Sequence, residues 1–342
     1  MKLNKSKFMV PAAMFLAFAF ASCSDWTDTE SLDIHTPSIE EQNPALYEQY
    51  VQSLNEYKAS AHQVTIVYIT TLSTATTARN QHLTNLPDSI DYICLNNTTQ
   101  VSDANLKEIA EVRKLGTKVV GLMDFDAIEK SWKAILDQEK ENASKEENTG
   151  TTEGEEGEEI DQAARFIEYC KQEAAKQAAN VNALALDGVE INFTGYDLNV
   201  LVKEEDIAAE TARQAAFFDA VASLKMSESG KDLLFKGSPQ NVIDRSIIKN
   251  CKYIIVNAHS AKNLYEMSYY VLMAAASNIP TDRFVVGVTT PYLTASGTYN
   301  GILGDDSSAI SGAAQWAVSS VEEFTKAGIS IDGAETDYFN IE

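Results

Sequence analysis

The sequence predicts an α/β chain folded as one (β/α)₈ barrel, the TIM-barrel form, with a helix ahead of it. Three observations carry this expectation. Eight short runs rich in β-branched and apolar residues succeed one another along the chain, and helical patterns separate most of them. The runs are near-continuously apolar, as strands buried on both faces of a parallel sheet must be. Strand and helix in alternation imply right-handed crossovers, and eight such units suit closure into a barrel. The length, 342 residues, is comfortable for one such domain.

In chain order, residues 43–61 (NPALYEQYVQSLNEYKASA) read as an amphipathic helix. The strand candidates are residues 64–72, 90–96, 118–125, 183–193, 233–237, 253–258, 284–290 and 329–331. Helical patterns occupy residues 104–115, 161–179, 205–226, 242–249, 261–277 and 313–327. The alternative, an open doubly wound sheet, finds no support as a dinucleotide binder. TTLSTATT follows the first strand where a glycine-rich fingerprint would stand. Residues 139–159 (EKENASKEENTGTTEGEEGEE) hold almost no apolar side chain and are expected to be a disordered acidic insertion. Their carboxylates lack the spacing of a calcium loop.

The first residues carry an address. Lys2, Lys5 and Lys7 precede an apolar run from Phe8 to Phe20, and the small residues Ala21 and Ser22 lead into Cys23. This resembles a bacterial lipoprotein signal. It implies removal of residues 1–22, acylation at Cys23 and a tether over residues 23–42 like those of surface lipoproteins in Bacteroidetes-like bacteria. Residues 43–342 are then the barrel. The expected location is the outer membrane, lipid-anchored at the cell surface. The other cysteines, Cys94, Cys170 and Cys251, show no metal-ligand spacing and read as free thiols, buried at Cys94 and Cys251. A formal net charge of -23 argues against nucleic acid as a partner and leaves an uncharged glycan compatible. Four histidines without a metal-binding pair give no reason to expect a metal or other cofactor.

The fourth strand candidate ends in Asp187-Gly188-Val189-Glu190-Ile191-Asn192-Phe193-Thr194. This resembles the Asp-Gly-x-Asp-x-Asp-x-Glu signature of family 18 glycoside hydrolases, the chitinases and endo-β-N-acetylglucosaminidases. In that family the last glutamate protonates the glycosidic oxygen, and the aspartate two before it orients the 2-acetamido group that attacks the anomeric carbon. Asp187 and Gly188 match. Glu190 keeps a carboxylate on a longer stem, Asn192 puts a neutral amide where the orienting aspartate stands, and Thr194 replaces the acid. A hydroxyl is too weak an acid for that protonation. The resemblance therefore implies a glycan-binding cleft with no catalytic residue.

Residues two apart on a strand share a face, so Glu190, Asn192 and Thr194 should point together into the barrel mouth. Tyr68, Met123, Asp124, Asn257, His259 and Tyr292 follow as candidates at other strand ends. Trp316, in a helical pattern, reads as packing, and the tryptophan that family members often carry at the eighth strand has no evident counterpart. Should hydrolysis persist, its acid would have to be Glu190, Asp197 or Glu335. The partners implied are an N-acetylglucosamine-containing glycan, the membrane through the anchor, and an outer-membrane glycan transporter for which the chain could also be a scaffold.

Overall fold

In the computed structural model, eight strands close a parallel barrel in the order β1-β10-β7-β6-β5-β4-β3-β2. Residues 38–72, 74, 78–146, 158–293, 297, 299–320 and 323–336 are described. The chain divides into residues 1–49 and a larger unit, residues 50–342, that holds the barrel. Cys23, the signal and the tether through residue 37 lie outside the described residues. Within the last residues of the expected tether, Ile39–Gln42 form one helical turn, capped reciprocally by Ser38 and Glu41.

The barrel strands are β1 (Val64–Ile69), β2 (Tyr92–Leu95), β3 (Lys118–Asp124), β4 (Gly188–Phe193), β5 (Asp232–Gly237), β6 (Tyr253–Asn257), β7 (Phe284–Thr289) and β10 (Lys326–Asp332). Between the last two runs a small antiparallel hairpin, β8 (Tyr292–Leu293) with β9 (Tyr299–Asn300), stands outside the barrel. Alternation sorts each strand's side chains into two sets. One set, with Ile66, Tyr68, Cys94, Val120, Leu234, Ile255 and Val285, fills the barrel interior. The other, with Met123, Phe193, Val256 and Val286, packs beneath the surrounding helices with Phe125, Phe217 and Trp316. Trp316 is fully buried and its indole N–H donates to Ser268 Oγ at 2.9 Å, so it is packing as expected. Cys94, Cys170 and Cys251 are buried free thiols.

Closure depends on glycine. Gly328 has φ +154, and a Cβ there would lie 2.0 Å from the carbonyl oxygen of Val64. Only glycine lets β10 approach β1 this closely.

Three helical expectations need correction. The connection from β3 to β4 contains two helices, Phe125–Glu146 and Glu158–Ala183, where the sequence suggested one. The first enters the acidic segment expected to be unstructured, because Glu, Lys and Ala favour helix once a buried turn such as Phe125 and Ile128 has nucleated it. Residues 147–157 of that segment lie outside the described residues. The last helix spans Ala309–Val318 and stops there, so Lys326 and Ala327, expected to be helical, belong to β10.

Asp187, the first residue of the motif, serves the fold. It precedes β4, at the barrel end opposite the mouth, where its Oδ2 accepts the Val119 N–H and Arg113 Nε–H, each at 2.8 Å. An Asp187→Ala variant should lose about 1–3 kcal/mol in urea unfolding, because it strands a half-buried guanidinium and a strand N–H.

Candidate functional site

The C-terminal ends of β1, β3, β4, β5, β6 and β10 surround a cavity of about 630 Å³. Tyr68, Asp124, Asp126, Glu190, Asn192, Thr194, Lys236, Asn257 and Asp332 line it, with Tyr270 and Met273 from helix Leu264–Ala274. The strand register explains the grouping. Asp124 on β3 pairs with Asn192 on β4, which pairs with Lys236 on β5. Laterally paired residues point the same way, so three polar side chains converge on one level of the barrel.

Depth then differs along β4. Thr194 lies just beyond the strand at the rim, whereas Glu190 is four residues earlier, about 13 Å back along the strand at 3.3 Å per residue and so deeper in the barrel. Glu190 is 0% exposed, and its Oε2 accepts the Tyr68 hydroxyl at 2.9 Å. Its other oxygen, Oε1, is buried with no partner. Burial is the chief reason its pKa rises to about 7. Lys236 and the Tyr68 hydrogen bond oppose that rise, and Asp332 and Asp124 add to it.

One level up, Asp124 Oδ1 accepts the Ala127 N–H at 2.9 Å and the Asn192 amide at 2.8 Å. Burial raises this carboxyl above its ordinary value against those two bonds. At the rim Asp126 grips Thr194. Its Oδ1 accepts the Thr194 N–H at 2.9 Å and its Oδ2 accepts the Thr194 hydroxyl at 2.6 Å. The Asn241 amide holds the Thr194 carbonyl at 2.8 Å, so the whole residue is pinned.

Across the mouth, Lys236 Nζ donates to both oxygens of Asp332, at 2.7 and 2.8 Å, and sits 3.7 Å from the centre of the Tyr68 ring. His259 Nε2 is 2.7 Å from Asp332 Oδ2. Burial works against ionisation of Asp332, but Lys236 and then His259 outweigh it and leave the carboxyl below its ordinary value.

Of the residues singled out in the sequence, Tyr68, Asp124, Glu190, Asn192, Thr194 and Asn257 line the cavity, and His259 reaches it through Asp332. Two candidates are corrected. Met123 is one residue out of phase, buried on the outer side of the barrel wall with Phe125 and Phe193. Tyr292 lies in the small hairpin, where its hydroxyl accepts the Asn300 amide at 3.0 Å, and does not line the cavity. Among the alternative acids, Asp197 caps a short turn at Leu198–Val200 and Glu335 accepts the Thr70 hydroxyl at 2.8 Å. Neither lines the cavity. The sequence reading missed Lys236, Asp332 and Asp126. Each is a charged residue at the C-terminal edge of an apolar run, and that was the available signal.

Comparison with known proteins agrees with this architecture. An endo-β-N-acetylglucosaminidase from Cordyceps militaris, in its apo form, is 17% identical with a TM-score of 0.52, covering 82% of this chain and 85% of that one. A selenomethionine glutamate-to-glutamine variant of BT1044 is 16% identical with a TM-score of 0.55, covering 89% and 91%. A doubly substituted form of the Cordyceps militaris enzyme, in complex with fucosyl-N-acetylglucosamine-Asn, is 16% identical with a TM-score of 0.53, covering 85% and 87%. These likenesses show a shared fold. No curated protein gives a match. The family description "Glycoside hydrolase family 18, BT1044-like" matches residues 27–342, and the chain belongs to that family.

Proposed function

We propose that this chain is a lipid-anchored protein of the outer membrane surface whose barrel binds N-acetylglucosamine-containing or N-glycan-type oligosaccharides without hydrolysing them. The observation that carries this reading is the state of Thr194. It occupies the family acid's position, has no ionisable proton near neutral pH, and donates its hydroxyl to Asp126. Asn192 completes the case. It gives its amide to Asp124, and its carbonyl can accept from an acetamido N–H but cannot carry the negative charge that would stabilise a cationic intermediate. What remains is a polar cleft suited to sugar hydroxyl and amide groups. The choice of ligand draws on the Cordyceps militaris relative, whose complex holds fucosyl-N-acetylglucosamine-Asn. The location rests on the Cys23 signal, and delivery to an outer-membrane transporter is the partnership it suggests.

Titration with N-glycans and chitooligosaccharides is expected to show saturable binding, weakened roughly tenfold by Asn192→Ala through loss of about one hydrogen bond's contribution. If no glycan in the panel binds, the reading fails.

A second reading has one observation in its favour. The Asp126 carboxyl stands a single hydrogen bond from the acid's position, on the Thr194 hydroxyl, and is the carboxyl nearest to where a leaving oxygen would lie. Oligosaccharide release from a glycoprotein, abolished by Asp126→Asn, would favour this enzyme.

A further inference from the structure

The mouth cavity carries four carboxyl groups, Asp124, Asp126, Glu190 and Asp332, and Lys236 is the one cation among its described lining residues. That lysine offers little to a ligand, because it is bidentate on Asp332 and covered by the Tyr68 ring. His259 is likewise engaged with Asp332. Two buried acceptor atoms on lining side chains, Glu190 Oε1 and Gln240 Oε1, have no partner, and Glu190 is completely buried. Unpartnered buried acceptors favour a ligand or water that brings donors. Sugar hydroxyl and amide N–H groups are such donors. A carboxylate, sulfate or phosphate brings acceptors only, together with charge of the sign already in excess, at a mouth that meets solvent at the exposed Thr194, where repulsion acts across water and added salt weakens it.

We infer that the cavity acts as a charge filter, admitting uncharged sugar units that present hydrogen-bond donors and rejecting units that carry a carboxylate, sulfate or phosphate. The inference rests on the glycan-binding reading above and adds the chemical class that the site selects.

The test is a matched pair, an N-acetylglucosamine trisaccharide and its 6-O-sulfated counterpart, titrated by calorimetry against the full barrel at low and at high salt. The neutral sugar should bind, the sulfated one at least tenfold more weakly, and the gap should narrow several-fold at high salt and in Asp126→Asn. Equal or tighter binding of the sulfated sugar overturns the filter while leaving glycan binding intact. A gap that high salt does not narrow also overturns it, since the exclusion would then be steric; this arm uses the unaltered chain and so does not depend on the variant folding. Failure of both sugars to bind overturns the filter for these units, and the underlying reading falls with it only if the N-glycans of the panel fail as well.

Discussion

Glu190→Gln is expected to make the folded chain more stable at pH 8, by about 3 kcal/mol, while leaving it close to the parent at about pH 4. The Glu190 pKa rises from 4.5 to about 7 on folding, chiefly through burial, and each unit corresponds to about 1.4 kcal/mol. The folded state binds this proton more tightly than the unfolded one. The stability it contributes is therefore fully present below 4.5 and is lost as pH rises toward and through 7. Asp332 has the opposite sign. Its lowered folded pKa contributes stability above 3.8 that is lost only as pH falls further, outside the Glu190 window. An amide at position 190 keeps an acceptor for the Tyr68 hydroxyl and removes the buried charge. Urea unfolding of both chains at about pH 4 and about pH 8 reads the difference directly. A constant difference across that range would show that the Glu190 carboxyl is not held as described.

Gly188→Ala is the second large effect expected, and it explains the glycine of the motif. A Cβ at Gly188 would lie 2.2 Å from the Asp232 carbonyl oxygen, and one at Gly237 would lie 2.2 Å from the Phe193 carbonyl oxygen. Both contacts fall between β4 and β5, backbone against a neighbouring strand, so no side chain can swing aside. Alanine at Gly188 should cost about 3 kcal/mol or more and disturb the register that aligns Asn192 with Lys236. Gly230 is the control. It has φ +68 and nothing within 4 Å of its would-be Cβ, so alanine there should cost only the roughly 1–2 kcal/mol of left-handed strain. Thermal unfolding of the two variants side by side checks the ranking. Equal losses would contradict the close approach of β4 and β5.

The barrel was legible because parallel strands buried on both faces leave a continuous apolar signal, and all eight runs became strands with ends shifted by a few residues. The motif was legible because alternation and position on the fourth strand both constrain it. Helix Phe125–Glu146 was hidden for a physical reason. Its buried face, with Phe125, Ile128 and Trp132, is brief, and the glutamate-rich continuation masks the period. Met123 was misassigned by one step of strand phase, which moves a side chain from the barrel interior to its outer wall. The Lys236–Asp332 pair joins residues 96 apart in sequence, so only closure of the barrel brings them together. Asp126 starts a helix, and nothing in its local sequence says that it will hold Thr194.

The most direct measurement is one incubation of the chain with an N-acetylglucosamine-containing N-glycan, followed by calorimetry and by mass spectrometry of the same sample. Saturable heat with every glycan mass unchanged is the predicted result. Appearance of a cleaved oligosaccharide that vanishes in Asp126→Asn would contradict it.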